Sequence, residues 1–311
     1  MRRIFLVLAA MFYILSLQFV DLAEQSGNGI YILLDRGITV SEADSIAKLE
    51  QEEVQPLGFC FYGIRGTTAL RAPETGRTVQ VTVMPVYGNG ELLGAGPLSW
   101  CKGCMLDVQT ARTLFGTDTI AAQQVHLYDT TLPAVGTIEV QSATVLVTAQ
   151  SGMLLDRCVI AGWDDNGNQA AGQFLLRHGL TGKILDFYPL LTFAKNMTLL
   201  PLWALLVLLC HAASTRDIRL VWLVALAGAV LLSTRIVIPK DAVPSMWSDF
   251  SFWSGWVQRQ RENGLTILMS NMGEWPLKTG ENVLKSGIYA LVSAILVAWA
   301  GRRTHRAAAA D

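Results

Sequence analysis

Four runs of apolar residues, near 4–20, 197–213, 220–238 and 284–300, limit what this chain can fold into more than any other feature. Each approaches the ~20 residues that carry a helix across a bilayer core, and flanking residues complete the shorter runs. Only 16% of the 311 residues are charged, against about 25% in an average soluble domain. A chain of this pattern is a membrane protein.

The first run, IFLVLAAMFYILSLQFV, follows Met1-Arg2-Arg3 and has the composition of a signal sequence. Cleavage after Ala23 would put Asp21 where a small residue is wanted, so residues 1–20 read as a retained signal anchor. Basic residues set the orientation. Arg2 and Arg3 precede the first run, Arg216 and Arg219 lie between the second and third, and Arg302, Arg303 and Arg306 follow the fourth. Four crossings put all of them on one side, which the positive-inside rule makes the cytoplasm. The turn 214–219 and the tail 301–311 then lie inside, with both termini. Residues 21–168, a stalk at 169–196 and a loop at 239–283 lie outside. The expected fold class is an α-helical membrane protein with four transmembrane helices, one plus three, and a large extracytoplasmic α+β domain inserted after the first helix. Its place is the cytoplasmic membrane, in contact with the lipid bilayer. The net charge is −1, and no basic stripe interleaved with aromatics indicates nucleic acid.

The outside domain begins with a helix in ITVSEADSIAKLEQEE, with Ser41 as N-cap and Asp44 three residues on. Strands follow in FCFYGIRG, TALRAP and TVQVTVMPVYG, the last two forming a hairpin about Glu74-Thr75-Gly76. GNGELLGAGPLS reads as a loop and Asp107 to Phe115 as a short helix. QQVHLYD and GTIEVQSATVLVTA read as two more strands, MLLDRCVIAG as another, and QAAGQFLLRHGL as a helix leading into the stalk. In the loop before the last run, WSDFSFWSGWVQRQR places Trp247, Phe250, Trp253 and Trp256 at helical spacing. That pattern fits an amphipathic helix in the outer headgroup layer, where tryptophan concentrates, or a helix packed on the outside domain or a partner.

Cys60, Cys101, Cys104 and Cys158 fall in the outside domain and Cys210 in the second span. An even count outside favours two disulfides. Of the three pairings, Cys101 to Cys104 with Cys60 to Cys158 is the simplest. Trp100-Cys101-Lys102-Gly103-Cys104 also resembles the WCxxC centre of thioredoxin-like proteins, in which Cys101 would be the nucleophile and Pro133 stands where such folds carry a cis proline. Those centres follow a buried apolar strand, and here GNGELLGAGPLS precedes the motif. Zinc would need two further ligands, with only isolated Cys60, Cys158, His126 or His178 available, so no metal site is assigned. DDNGN imitates the start of a calcium loop but lacks its sixth-position glycine and twelfth-position glutamate. The chain has no G-x-x-x-x-G-K-[ST] loop, so any ATP that drives it is bound by another chain.

One anchor span, a large outside domain and three further spans with a short basic turn together resemble the permease subunits of MacB/FtsX-type ABC transporters. The resemblance is carried by GCMLDVQTARTLFG and QQVHLYDTTLPAVGTIEV. Family members have a helix ending in Ala-x-x-Leu-Phe-Gly, here Ala111, Leu114, Phe115 and Gly116, and then a Val-Gly pair, here Val135 and Gly136. STRDIR resembles the family's coupling segment, with Arg216, Asp217 and Ile218 matching and Arg219 replacing a glycine. The resemblance implies a non-catalytic subunit without a cofactor of its own, with ATP and magnesium on a separate cytoplasmic ATPase. It implies a homodimer, or a heterodimer with a sister permease, and admits an extracytoplasmic adaptor or substrate-binding protein. Motion of the ATPase would pass to the outside domain for export or outer-leaflet extraction of a substrate. Two other classes fit the residues: a membrane-anchored thiol-disulfide oxidoreductase using Cys101 and Cys104, and a non-transporting sensor or regulator.

Overall fold

A computed structural model describes residues 2–26, 29–162, 167–185, 187–214, 218–238, 250–269 and 272–308. The chain divides into a sheet domain, 28–186 with 262–277, and a helical unit made of the remaining segments.

The sheet domain holds ten strands: β1 Gly29–Thr39, β2 Phe59–Tyr62, β3 Thr67–Arg71, β4 Thr78–Gly88, β5 Cys104–Asp107, β6 Gln124–Leu127, β7 Thr130–Ile138, β8 Thr144–Thr148, β9 Leu154–Ala161 and β10 Gly182–Leu185. Three helices pack with them: α2 Val40–Gln51, α3 Val108–Phe115 and α4 Gly167–Arg177. Their order is β10-β1-β9-β2-β4-β3-β6-β7-β5-β8, and β8 also pairs with β4 in parallel. That pairing closes β4-β3-β6-β7-β5-β8 into a six-stranded barrel and leaves β2, β9, β1 and β10 as a sheet extending from it. Strand β4 belongs to both parts. Its residues Thr78 to Thr82 pair with β3 and Val86 to Gly88 with β2. Pro85, which has no N–H to donate, stands between the two stretches.

Two cores follow from this division. Leu70, Val81, Val83, Leu106, Val125 and Val145 fill the barrel with Leu114 of α3. Ile32, Phe59, Phe61 and Ile160 form the second core with Ile46 of α2 and Phe174 of α4.

Sequence expectations differ from the structure at several places. The sheet domain opens with strand β1, which takes in Ile38 and Thr39, rather than with a helix. The N-cap of α2 is Thr39 rather than Ser41. Thr39 Oγ1 accepts from Glu42 N at 3.3 Å while Glu42 Oε2 accepts from Thr39 N at 2.7 Å, a reciprocal box that Ser41 and Asp44 do not make. GTIEVQSATVLVTA contributes to two strands, because the chain turns at Ser142 and runs on beside β4, with Thr82 N donating to Ala143 O at 2.8 Å. The stretch 169–196 is not one helical stalk. Gly179, at φ +61°, lies just past the end of α4, and Gly182 to Leu185 then join β1 as an edge strand.

Residues 262–277 lie against the sheet domain far from their place in sequence. The Tyr62 hydroxyl donates to Met272 O at 3.0 Å, and Met272 is fully buried. Gln141 N donates to Glu274 Oε2 at 2.5 Å, and Lys183 donates to Thr266 Oγ1. Gly273 turns this strap at φ +91°.

The helical unit contains α1 Arg2–Ser26, α5 Tyr188–Met197, α6 Leu200–Ser214 and α7 Ile218–Ser233. It also holds the first part of α8 Phe250–Met269 and most of α9 Glu274–Ala308. Among the described residues three stretches are long and apolar enough to cross a membrane: Ile4–Glu24, Tyr188–Cys210 and Glu274–Gly301. The expected third span is represented by a shorter apolar helix, Val221–Ser233.

Helices α1 and α9 pack antiparallel. Phe5 meets Trp299, Ser293 Oγ donates to Ala9 O at 2.8 Å, and Ser286 Oγ donates to Ser16 O at 2.9 Å. Nearer the other end Phe19 stacks on Tyr289. Buried Thr279, Asn282, Ser286, Ala290, Ser293, Val297 and Ala300 recur every three or four residues along α9, and the small ones among them let the two backbones approach. Helices α6 and α7 form a hairpin. After α7 the chain returns to α5, where Asn196 Nδ2 donates to Val237 O at 2.7 Å and Asn196 Oδ1 accepts from Val237 N at 3.1 Å.

Candidate functional site

The segment from Gly103 to Gly136 holds the Ala111 to Gly116 stretch and the Val135-Gly136 pair, and the structure gives each a physical role. Asp107 caps α3: one carboxylate oxygen accepts from Thr110 N at 2.9 Å and the other from Thr144 N at 3.0 Å. The start of the helix is thereby tied to β8. Ala111 and Leu114 are fully buried in the barrel core, with Phe115 packed against it. Gly116 stops the helix in the left-handed conformation at φ +78°, its N–H donating to Arg112 O at 2.8 Å. Sequence reasoning began this helix at Asp107 and missed the bond to Thr144, because the partner lies 37 residues away.

Val135 and Gly136 mark a bulge in β7. Cys104 lies opposite Ala134 and Met105 opposite Gly136, so Val135 is the extra residue. The turn before β5 presses against this bulge. A Cβ added to Gly103 would lie 2.5 Å from Val135 Cγ2 and 2.7 Å from Pro133 O.

The cysteine expectations are corrected here, since all five cysteines are free thiols. Cys60 stands opposite Val159 and Cys158 opposite Phe61 on neighbouring strands. Opposed residues share a face and successive residues alternate, so the sulfurs of Cys60 and Cys158 lie on opposite faces of the sheet and no staple joins them. Cys101 is exposed, whereas Cys104 is buried and its thiol donates to Pro133 O at 3.6 Å. Burial pushes the Cys104 thiol up to about 12. Pro133 is a trans residue in β7, paired with Gln124 of β6.

A buried charge cluster, not foreseen from sequence, ties α2 to the end of α4. Glu50 is 2% exposed; its carboxylate accepts from Leu57 N at 3.0 Å and Arg177 Nη1 at 3.1 Å, and contacts His178 Nε2 at 2.7 Å. Burial pulls the Glu50 pKa up, but the Leu57 amide, His178 and Arg177 outweigh it and hold the carboxylate below its usual range. Among the described residues no three His, Cys, Asp or Glu side chains gather as a metal requires.

Of the expected coupling residues, Arg216 and Asp217 lie outside the described residues, and Ile218 and Arg219 open α7. Trp247 also lies outside them. Trp253 and Trp256 are half-buried on α8, Trp253 beside Phe252. The structure therefore gathers the Ala111 to Gly136 set in one barrel, apart in the chain from the helix-borne residues.

Among solved structures, the chain is similar to the periplasmic region of MacB from Actinobacillus actinomycetemcomitans. The two share 12% identity with a TM-score of 0.41, over 52% of this chain and 91% of that one. It is also similar to the extracellular domain of the noncanonic ABC-type transporter YknZ from Gram-positive bacteria, at 10% identity with a TM-score of 0.34, over 50% of this chain and 97% of that one. No protein-family model and no curated protein matches the sequence.

Proposed function

We propose that this chain is a permease-like subunit of an ABC-type transporter, driven by a separate cytoplasmic ATPase and working on a substrate through its sheet domain. The observation that carries this reading is how the sheet domain is spliced into the helices. Helix α1 ends at Ser26 and β1 begins at Gly29, while β10 ends at Leu185 and α5 begins at Tyr188. Strands β1 and β10 are hydrogen-bonded neighbours, with Tyr31 opposite Leu185. Helices α1 and α5 are joined in turn by an ion pair between Glu24 and Lys195. Movement of this helix pair would reach two adjacent strands through connections of only two residues each, 27–28 and 186–187. A third connection is the strap, because α9 begins within it at Glu274.

The antiparallel packing of α1 and α9 supports an even number of crossings. If both span the bilayer and the apolar stretch Tyr188–Cys210 does so too, the chain must return before α9, and α7 is the segment available to do so. At 15 and 16 residues α6 and α7 are about 22–24 Å long. A thinned bilayer or residues continuing each helix would complete the roughly 30 Å crossing. In this arrangement both termini and the α6–α7 turn are cytoplasmic and the sheet domain is outside. The ATPase engages Arg216, Asp217, Ile218 and Arg219, and Trp247, Trp253 and Trp256 sit at the outer membrane surface. A pair of such subunits, identical or sister chains, faces the paired ATPase. No residue of this chain is assigned a catalytic role.

The test is co-purification. Tagged protein extracted from its native membrane in mild detergent is expected to bring down an ATP-binding-cassette subunit, and the Arg216→Ala, Asp217→Ala, Arg219→Ala variant to lose it. Absence of any ATPase from the wild-type sample would overturn the reading.

A further inference from the structure

Beside α2 the sheet domain holds a cleft of about 410 Å³ that none of the motifs above explains. Ala47, Leu57 and Phe59 supply apolar lining, and Glu91 and Trp100 come from the loop between β4 and β5. Phe59 is only 8% exposed, yet Trp100 is 80% exposed.

That exposure is imposed by a loop with little freedom. Ser99 Oγ accepts from Gly90 N at 2.8 Å and donates to Gly88 O at 3.1 Å. Ala95 N donates to Gly90 O at 2.6 Å, and Asn89 N to Phe59 O at 2.8 Å. A Cβ on Gly90 would stand 2.2 Å from Ala95 O, so the loop closes tightly at that residue. Trp100 is therefore held out beside the cleft by a braced scaffold, and among the described residues its indole has neither ring nor hydrogen-bond partner. A large aromatic kept in water in this way is a ready contact surface for a ligand.

The charge in the cleft is one-sided. Two carboxylates line it, Glu50 and Glu91, and no Lys, Arg or His does. Glu50 is already engaged by Leu57, Arg177 and His178. Among the described residues Glu91 has no ion-pair partner. What the cleft lacks is a cation with an apolar body.

We infer that this cleft binds an ammonium or guanidinium group carried on an apolar body. The cation lies between the Glu91 carboxylate and the face of Trp100, and the apolar part rests on Leu57 and Phe59. A carboxylate and an aromatic face are complementary to the same charge, and aromatic rings attract cations through their quadrupole. That the ligand is cargo rests on the permease reading; the binding itself does not.

The experiment uses the full chain in phosphatidylcholine nanodiscs, whose zwitterionic surface does not concentrate cations. Benzyltrimethylammonium and the dipeptide amide Arg-Phe-NH2 are the probes, and N-acetylphenylalanine amide is the uncharged control. Saturation-transfer NMR and calorimetry report binding. A cationic probe is expected to bind at least tenfold more tightly than the control, and to weaken at least tenfold in Glu91→Gln and in Trp100→Ala. Both side chains are exposed, and an unchanged circular dichroism spectrum confirms that each variant folds. Binding of the dipeptide alone identifies a peptide ligand, and binding of the quaternary amine alone a small organic cation. The inference is overturned if neither cation binds more tightly than the control, or if binding is unchanged in both variants. Probe binding without a co-purifying ATPase would overturn the permease reading and leave the site standing, and the reverse pattern would do the opposite.

Discussion

Gly103 and Glu50 each do something their neighbours in sequence do not reveal. Gly103 passes so close to the β7 bulge that a methyl group has no space. Gly103→Ala is expected to lower stability by about 1–3 kcal/mol, the usual range for overpacking, read as a lower denaturant midpoint with an unchanged slope. Glu50 gives the sheet domain a pH dependence with a definite sign. Its folded pKa lies below the ordinary value of 4.5. Its stabilisation is therefore complete above that value and is lost as pH falls through the folded pKa. The midpoints of wild type and Glu50→Gln should differ at pH 7 and converge toward acid pH; a constant gap would show that the carboxylate's charge is not what matters. The thiols offer a third reading at this scale. In the folded domain a membrane-impermeant maleimide should label Cys101 while Cys60, Cys104 and Cys158 stay protected, and labelling of Cys104 at the rate of Cys101 would contradict its place in the barrel.

Among the elements, β4 and the strap decide how the sheet domain is held together. Strand β4 is long enough to serve the barrel with one half and the open sheet with the other, so two cores share one backbone. The strap at 272–277 depends on Tyr62, whose hydroxyl satisfies a buried carbonyl. Tyr62→Phe leaves Met272 O without that partner, a loss of about 1–3 kcal/mol for a buried group. Hydrogen exchange across 272–277 should accelerate in this variant while β5 to β8 keep their protection. Equal exchange in the two proteins would mean that the hydroxyl does not secure the strap.

At the scale of the whole molecule, the pairing of the first and last helices is the testable feature. Ser16 and Ser286 hydroxyls lie 3.4 Å apart. In a background with all five native cysteines replaced by serine or alanine, Ser16→Cys with Ser286→Cys should form a cross-link under mild oxidation. Ile4→Cys with Ser286→Cys should not, because the antiparallel register sets Ile4 near the opposite end of α9. A cross-link in the second pair alone would reverse the direction of α9, and with it the argument for an even number of crossings. On the permease reading proposed above, the cross-linked protein also tests transmission, since locking α1 to α9 should leave a co-purifying ATPase bound and stop substrate movement.

Local chemistry was legible in the sequence where the stabilising partner lies within a few residues. Apolar runs marked the helices because membrane helices satisfy their own backbone hydrogen bonds. Gly116 marked the end of α3 because only a left-handed stop fits there, and the Glu74-Thr75-Gly76 turn marked the β3–β4 hairpin. The tertiary structure alone decided what depends on distant partners. Parallel pairing of β4 with β8 closes the barrel, and alternation along β2 and β9 turns Cys60 away from Cys158. Glu50 meets His178 across 128 residues, and Tyr62 holds a carbonyl 210 residues away. Periodicity and capping act over one or two turns of chain. Strand register and buried polar pairing are settled only when the whole fold brings their partners together.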